Sequence, residues 1–210
     1  MPRILIADDH NLVRAGIKQL LSAHQGYSVN EASTGSEAVK MINESDYDLI
    51  ILDISMPGRS GLDVLKEIKT RKPQQAVLML SIYPEEQYAI RSLKAGASGY
   101  LTKDIAPEEL MNAIEKIMRG EKYVKTSLTE KIIEELSDAR KSKLPHERLS
   151  DREYEIFCRI GEGKTISEIA QQMFLSVKTV STYRSRILKK TGLKNNAGIM
   201  KYVIENKLAV

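Results

Sequence analysis

The sequence predicts an α/β domain built on a doubly wound (βα)5 parallel sheet, followed by an all-α domain of four helices. Residues 4–7, 49–52 and 76–80 are short, continuous apolar runs, which are typical of strands buried on both faces of a parallel sheet. Segments with apolar residues at helical spacing separate these runs. Beyond residue 149 helix start signals recur without any strand pattern, which predicts the helical second domain.

Strands and helices alternate over residues 1–119. Residues 27–31 and 99–101 are weaker strand candidates, and they bring the expected number of strands to five. Apolar positions at helical spacing occur in residues 12–21 and 110–117, among others. Parallel strands joined by helices form a sheet with helices on both faces. The functional crevice of such a sheet lies beyond the carboxyl ends of its strands.

Residues 120–148 are predicted to link the two domains. Ser127 and Glu130 form a capping box for one short helix, and residues 138–147 are polar and favour a flexible connector. Residues 149–210 are predicted to form the second domain. Its expected helices lie near residues 150–162, 165–172, 176–190 and 196–206. A short helix, a tight turn and a longer helix make the helix-turn-helix arrangement.

Composition excludes several classes of protein. The chain has 210 residues, of which 42% are hydrophobic and 29% charged, with one cysteine. A lone cysteine argues against disulfide-rich and zinc-finger proteins. Acidic residues as early as Asp8 and Asp9 argue against a secretory signal peptide. No apolar run reaches the roughly 18 residues of a membrane span. We therefore expect a cytoplasmic protein without a membrane partner. We expect the three histidines, His10, His24 and His146, to lie at the surface. Alternatively, His10 lies beside the predicted strand-end site and tunes the lifetime of a bound phosphate.

The charge is unevenly distributed. The whole chain carries a formal charge of +4. Residues 1–119 hold 14 basic and 16 acidic residues, a balance of −2, whereas residues 150–210 hold 11 basic and 6 acidic residues, a balance of +5. No acidic residue occurs between Glu168 and Glu205. A basic second domain indicates a polyanionic partner.

Polar side chains occur where the predicted strands end. Asp8 and Asp9 follow the first strand, Asp53 the third and Lys103 the fifth, while Ser81 closes the fourth. Neighbouring strand ends should bring the three carboxylates together, where their repulsion favours a bound cation, and oxygen ligands suit Mg²⁺. With a lysine and a hydroxyl nearby, one carboxylate can accept a phosphoryl group. Each aspartate taken alone can instead cap a turn.

Residues 176–190 predict a nucleic-acid-binding helix. One polar, basic face carries, at helical spacing, Lys178, Ser181, Thr182, Ser185 and Lys189. Val180, Ile187 and Leu188 lie off this face and are expected to pack on the helix at 165–172. Such a helix fits the major groove of DNA. The side chains that suit phosphates are Lys178, Arg184, Lys189 and Lys190. The alternative is an ordinary solvated helix face.

Residues 1–119 resemble the receiver domain of two-component response regulators. The matching positions are Asp8, Asp9, Asp53, Ser81, Tyr100 and Lys103, together with residues 56–58 and 95–101. The resemblance implies that Asp53 is the phosphoacceptor. It also implies that Asp9, Asp53 and the main-chain carbonyl of Ser55 ligate Mg²⁺, with Asp8 acting through water. Lys103 would pair with the phosphoryl oxygens. Ser81 would turn inward to the phosphoryl group, with Tyr100 swinging in behind it.

Residues 149–203 resemble the LuxR-type helix-turn-helix, and the two halves together have the layout of the NarL/FixJ family. The matching segments are 149–153, 162–165, 168–170, 175–180 and 187–190. The predicted DNA contacts are Lys178, Thr179, Ser181, Thr182, Arg184, Ser185 and Lys189. Asn196 stands where arginine is common in this family, and Tyr183 where histidine is common.

These observations predict a transcription factor controlled by phosphorylation. A histidine kinase would phosphorylate Asp53 in the presence of Mg²⁺, and phosphorylation would control homodimerisation and promoter binding. Residues 196–206, with Met200, Val203 and Ile204 on one face, are a candidate contact between DNA-bound copies. One alternative is a phosphotransfer enzyme, although Ser55 replaces the second aspartate that such a site would have. The other is a constitutive DNA-binding protein with a vestigial receiver.

Overall fold

The computed structural model describes residues 1–24, 26–83, 85–125, 144–206 and 208, without the side chains of Glu86 and Gln87. The chain divides into two compact units, residues 1–132 and 133–210. The boundary falls inside the predicted linker 120–148. The short helix predicted from Ser127 lies outside the described residues. No described helix is both long enough and apolar enough to cross a membrane.

The first unit contains a five-stranded parallel sheet, as predicted. Its strands are β1 (Arg3–Ala7), β2 (Ser28–Ala32), β3 (Leu49–Asp53), β4 (Val77–Ser81) and β5 (Gly99–Thr102). Their order in the sheet is β2-β1-β3-β4-β5, so β1 and β3 are neighbours. All four pairings are parallel, and β3 and β4 are buried at every residue. This double burial explains why these strands are apolar without alternation.

Five helices alternate with the strands, and the fifth follows β5. They are α1 (Asn11–Ala23), α2 (Gly35–Glu44), α3 (Gly61–Arg71), α4 (Glu85–Lys94) and α5 (Pro107–Met118). Side-chain oxygens of Thr34 and Ser60 cap the N-termini of α2 and α3. The apolar sides of α1 and α5 pack against the sheet in one core. Members of this core include Ile4, Ile51, Leu78, Leu101, Ile17, Leu21, Ile114 and Ile117.

The first residues of the predicted linker belong to the first unit. Tyr123 forms a parallel bridge with Gly99, and its amide donates to the carbonyl of Ser98 at 2.8 Å. A Cβ at Gly99 would lie 2.9 Å from the Tyr123 carbonyl oxygen, so glycine permits this close approach. The chain thus covers part of the β5 edge after α5 ends.

The second unit is helical in its described residues, as predicted. A 3-10 turn at Pro145–Arg148 precedes four α-helices. These are α6 (Asp151–Gly161), α7 (Ile166–Gln172), α8 (Val177–Thr191) and α9 (Asn196–Glu205). Capping boxes at Ser150 and Thr165 begin α6 and α7, and the side chain of Ser176 caps α8. Residues 173–175 form the tight turn between α7 and α8.

The four helices share one apolar core. Val180 and Ile187 of α8 are fully buried, as are Ile169 of α7 and Val203 of α9. Helices α6 and α9 approach closely at Gly161, where a Cβ would lie 2.4 Å from a methyl carbon of Val203. Cys158 is also buried here. This core fixes the orientation of α8, whose opposite face is exposed.

Candidate functional site: an acidic pocket and a basic helix

The carboxyl ends of β1 and β3 bring acidic side chains together. Asp53 is the last residue of β3, and Asp8 follows β1 in the neighbouring strand. Both carboxylates are almost completely buried, with residue exposures of 1% and 2%. Asp9 is partly exposed. Ligand atoms of Asp8, Asp9, His10 and Asp53 all lie within 4.8 Å of one another. The predicted convergence of the three aspartates is therefore present.

Lys103 binds two of these carboxylates. Its Nζ lies 2.7 Å from Asp8 Oδ2 and 2.9 Å from Asp53 Oδ2. Its side chain is only 9% exposed because it reaches inward from the end of β5. Burial alone would lower the pKa of Lys103, but the charges of Asp53 and Asp8 outweigh this effect and raise it. The lysine is therefore held as a cation in the pocket.

Burial raises the pKa of Asp53 to about 6, and the negative charge of Asp8 adds to this increase, while Lys103 and a hydrogen bond from the Ser55 main chain oppose it. The raised pKa means that these groups compensate the ionised form of Asp53 only in part. Its Oδ1 atom is buried and has no hydrogen-bond partner among the described residues. An uncompensated buried carboxylate oxygen next to the Asp9 carboxylate fits a divalent cation such as Mg²⁺. Ser55 lies two residues beyond Asp53, and the role of its carbonyl as a ligand stays a prediction.

Ser81 and Tyr100 lie beside the pocket, and both are buried. The Tyr83 amide donates to Ser81 Oγ at 3.1 Å, while the Tyr100 hydroxyl donates to the Tyr83 carbonyl at 2.8 Å. Burial raises the pKa of Tyr100. Tyr83 therefore contacts both predicted switch residues through its main chain. Tyr83 was not predicted as a site residue, because its contacts with Ser81 and Tyr100 are made by its main chain, and no side-chain pattern in the sequence indicates such contacts.

The predicted DNA-contacting face of α8 is exposed. Lys178, Ser181, Thr182, Ser185 and Lys189 all face away from the core, while Thr179 and Arg184 are partly buried. The hydroxyls of Thr182 and Ser185 donate to carbonyls one turn earlier, at 2.9 and 3.1 Å. Their oxygens can still accept hydrogen bonds from outside the helix. Val180 and Ile187 are buried as predicted, whereas Leu188 is only partly buried.

Two basic side chains of α8 pair with other side chains of the second unit. Lys190 Nζ lies 2.6 Å from Glu153 Oε2, and Glu153 is 3% exposed. The Lys190 ammonium thus joins α8 to α6 in this structure, while 43% of its side chain stays exposed, so its contact with a phosphate stays a prediction. Arg184 Nε donates to Asn196 Oδ1 at 2.6 Å. Asn196, which replaces a common arginine, thus orients a predicted phosphate contact.

Two family matches cover most of the chain. Residues 4–115 match the response regulator receiver domain, and residues 147–203 match the bacterial regulatory proteins of the luxR family. The response regulator UvrY of Escherichia coli strain K12 is 34% identical over 209 residues, which are 99% of this chain and 96% of that relative. The oxygen regulatory protein NreC of Staphylococcus carnosus is 34% identical over 213 residues and covers 98% of both chains.

The chain belongs to the NarL/FixJ family of two-component response regulators. Solved structures agree with this assignment. RcsB from Salmonella enterica serovar Typhimurium, bound to promoter rprA in the presence of phosphomimetic BeF3−, is 25% identical and has a TM-score of 0.64, covering 97% of this chain and 98% of RcsB. A LuxR-family response regulator from Aurantimonas sp. SI85-9A1 is 32% identical with a TM-score of 0.60, covering 66% of this chain and 99% of that one.

His10 lies both at the surface and beside the pocket of this response regulator. It was expected at the surface, with a place beside the pocket as the alternative, and 55% of its side chain is exposed. Its Nδ1 nevertheless faces inward, 2.8 Å from Asp9 Oδ1 and 3.2 Å from Asp8 Oδ1. The position of His10 directly after two predicted ligands is the sequence signal for this alternative.

Proposed function

We propose that this response regulator accepts a phosphoryl group on Asp53 from a histidine kinase, and that phosphorylation controls dimerisation and promoter binding. The observation that carries the proposal is the position of Lys103 Nζ between Asp8 and Asp53, at 2.7 and 2.9 Å. This ammonium is placed to neutralise charge on a phosphoryl group next to Asp53. An intact, buried pocket of this kind argues against a vestigial receiver.

Asp53 has the properties of a phosphoryl acceptor. Oδ2 is engaged by Lys103, while the buried Oδ1 is available as the nucleophile. In the transfer, a bond forms between an Asp53 oxygen and phosphorus, and the bond from phosphorus to the donor nitrogen of the kinase histidine breaks. Asp53 must be ionised to attack, and a pKa of about 6 leaves it mostly ionised at pH 7.5.

The residues that would hold Mg²⁺ are Asp9, Asp53 and the carbonyl of Ser55, with Asp8 acting through water. A bound divalent cation supplies positive charge that stabilises the transferring phosphoryl oxygens. Asp8 already accepts Lys103 at Oδ2 and the His10 amide at Oδ1, 2.8 Å away. These two contacts favour an indirect role for Asp8 and leave direct coordination to Asp9 and Asp53.

The switch would begin at Ser81. Its Oγ accepts the Tyr83 amide, so a Ser81 hydroxyl that turns to the phosphoryl group changes the partner of that amide. Tyr83 is also bound to the Tyr100 hydroxyl through its carbonyl. Movement at Ser81 would therefore reach Tyr100 and the start of α4 through the backbone at Tyr83. Through this coupling, the negative charge added by phosphorylation would change the protein surface near Tyr100 and the start of α4.

DNA binding is assigned to α8. Its exposed basic and hydroxyl side chains would enter the major groove, with Lys178, Lys189 and Arg184 at phosphates. Ser181, Thr182 and Ser185 are short enough to approach base edges, and Thr179 lies at the capped N-terminus of the helix, where its amide donates to Ser176 Oγ at 3.0 Å. A promoter-binding role supports a cytoplasmic location for the protein.

Two copies would read half-sites about one DNA turn apart. Helix α9 is the proposed contact between DNA-bound units, and its exposed apolar residues are Met200 and Ile204. Val203, which was predicted on the same face, is instead buried against Gly161 and is excluded from this contact. The proposed contact on α9 therefore contains Met200 and Ile204 but not Val203.

Phosphorylation of the purified chain tests this proposal. Incubation with acetyl phosphate and Mg²⁺ should add one phosphoryl group to the wild type, detected by mass spectrometry of the intact protein. The Asp53→Asn variant should remain unmodified, while Asp46→Asn, a surface control with a 95% exposed side chain, should react normally. Modification of Asp53→Asn to the wild-type extent would contradict the proposal.

A further inference from the structure

The side chain of His10 is half-exposed and lies beside the acidic carboxylates. Its backbone amide donates to Asp8 Oδ1 at 2.8 Å, which fixes the residue at the start of α1. Its ring nitrogen Nδ1 lies 2.8 Å from Asp9 Oδ1 and 3.2 Å from Asp8 Oδ1. An imidazole nitrogen and carboxylate oxygens from separate strand ends thus lie together, within 4.8 Å of the buried carboxylate of Asp53.

The separation between His10 Nδ1 and Asp9 Oδ1 matches that between adjacent ligands of one ion. Ligands about 2.1 Å from a cation in octahedral geometry lie about 3 Å apart along each edge of the octahedron. The distance from His10 Nδ1 to Asp9 Oδ1, 2.8 Å, is close to this value. The imidazole is already within reach, so coordination would require little movement of its ring.

A second observation points to a bound cation rather than to a hydrogen bond alone. The Asp53 side chain is fully buried, and its Oδ1 has no hydrogen-bond partner among the described residues. Lys103 is the one cationic side chain found to contact Asp53 in the part of the chain that is described, and it engages Oδ2. Oδ1 of Asp53 and Oδ1 of Asp9 therefore remain for a metal, with the His10 nitrogen next to them.

We propose that His10 Nδ1 is a direct ligand of the pocket cation when that cation is a divalent transition metal, so that this receiver prefers Co²⁺ or Mn²⁺ to Mg²⁺. The inference rests on the proposed role of Asp9 and Asp53 as cation ligands. Mg²⁺ is a hard ion that takes oxygen ligands and keeps its waters, so it gains little from imidazole. Transition metals bind mixed nitrogen and oxygen sites more tightly, with Co²⁺ above Mn²⁺ in the usual order.

Metal titrations of the full chain test the proposal. Dissociation constants for Co²⁺ and Mg²⁺ would be measured by isothermal titration calorimetry for the wild type, His10→Ala and His24→Ala. His24 is a matched control, since it is an exposed histidine at the other end of α1 whose ring contacts the Leu20 carbonyl. We expect His10→Ala to weaken Co²⁺ binding at least about tenfold and Mg²⁺ binding by less than about twofold, while His24→Ala changes neither.

Pulsed EPR of the Mn²⁺-loaded protein gives a readout independent of affinity. Coupling to an imidazole nitrogen should be present in the wild type and in His24→Ala and absent in His10→Ala. Absence of nitrogen coupling in the wild type, or equal weakening of Co²⁺ and Mg²⁺ binding by His10→Ala, would overturn the proposal and leave His10 as a hydrogen-bond partner of Asp8.

The failure of this inference is distinguishable from failure of the proposed function. If the wild type binds both metals and Asp53 is phosphorylated while His10→Ala changes nothing, the role of His10 alone is wrong. If Asp9→Asn binds Co²⁺ and Mg²⁺ as the wild type does, the cation site itself is wrong, and both proposals fall. Circular dichroism of each variant would confirm that the fold is retained.

Discussion

The hydroxyl of Tyr100 donates a hydrogen bond to the main-chain carbonyl of Tyr83 across 2.8 Å. Because both residues are buried, a phenylalanine at position 100 would remove this donor without changing the volume of the core much. We expect Tyr100→Phe to lower the free energy of unfolding of the first unit by about 1–2 kcal/mol. Chemical denaturation followed by circular dichroism measures this effect.

A control for this substitution is Tyr27→Phe. Tyr27 is partly exposed, and its hydroxyl has no hydrogen bond among the described residues. Its removal should change stability by less than about 0.5 kcal/mol. Equal effects of the two substitutions would show that the contact between Tyr100 and Tyr83 contributes nothing specific.

The stability of the metal-free protein should depend on the ionisation of Asp53. Burial raises the pKa of Asp53 to about 6, whereas the ordinary value is 3.8. Since the folded state binds this proton more tightly than the unfolded state, the group favours folding most below about pH 4 and disfavours it increasingly as the pH rises to 6. Asp53→Asn should therefore change the free energy of unfolding more favourably at pH 7.5 than at pH 4, and the difference between the two effects should be up to about 3 kcal/mol.

Urea denaturation of the wild type and Asp53→Asn at pH 4 and pH 7.5, in the presence of a chelator, tests this dependence. The solvent-exposed substitution Asp46→Asn should not reproduce it. A stability difference between wild type and Asp53→Asn that is the same at both pH values would contradict the raised pKa.

Two neighbouring lysines of α8 should have separable effects. Lys190→Ala removes the partner of the buried Glu153 and should destabilise the second unit by on the order of 1–3 kcal/mol, measured by thermal unfolding. Burial tends to raise the pKa of Glu153, but the Lys190 and Ser150 hydrogen bonds outweigh it and lower the pKa. The stabilisation is therefore present above the ordinary pKa of 4.5 and is lost as the pH falls below it.

Lys189→Ala should instead weaken DNA binding and leave stability unchanged, because Lys189 is exposed on the DNA-facing side of α8. Loss of one phosphate contact reduces the slope of log affinity against log salt by about 1. Fluorescence anisotropy at several salt concentrations measures this slope. If Lys190→Ala reduced the slope as Lys189→Ala does, the ion pair with Glu153 would not keep the Lys190 ammonium away from the phosphates.

Phe174 is strained in the turn of the helix-turn-helix. Its φ is 54°, in the left-handed region that favours glycine, and it is 70% exposed. Phe174→Gly should stabilise the second unit by about 0.5–1 kcal/mol, because little packing is lost and the backbone strain is relieved. Val177→Gly, at an exposed helical position with ordinary backbone angles, should destabilise it. Thermal unfolding distinguishes these outcomes.

Much of the fold and of the pocket could be predicted because local patterns determine them. The apolar runs at 4–7 and 49–52 exist because β1 and β3 are buried on both faces, and parallel pairing then brings Asp8 and Asp53 together. The partner of Lys190 could not be predicted, since Glu153 lies 37 residues away and no local periodicity links them. The inward direction of the His10 ring nitrogen could not be predicted, because helical spacing does not determine where the residue before a helix directs its ring.

The most direct measurement is a DNA-binding titration of the full chain with and without acetyl phosphate and Mg²⁺, comparing the wild type with Asp53→Ala. Phosphorylation should tighten promoter binding by the wild type and leave Asp53→Ala unchanged. Identical curves for the phosphorylated and unphosphorylated wild type, with phosphorylation verified by mass, would contradict control of DNA binding by the acidic pocket and favour a constitutive DNA-binding protein.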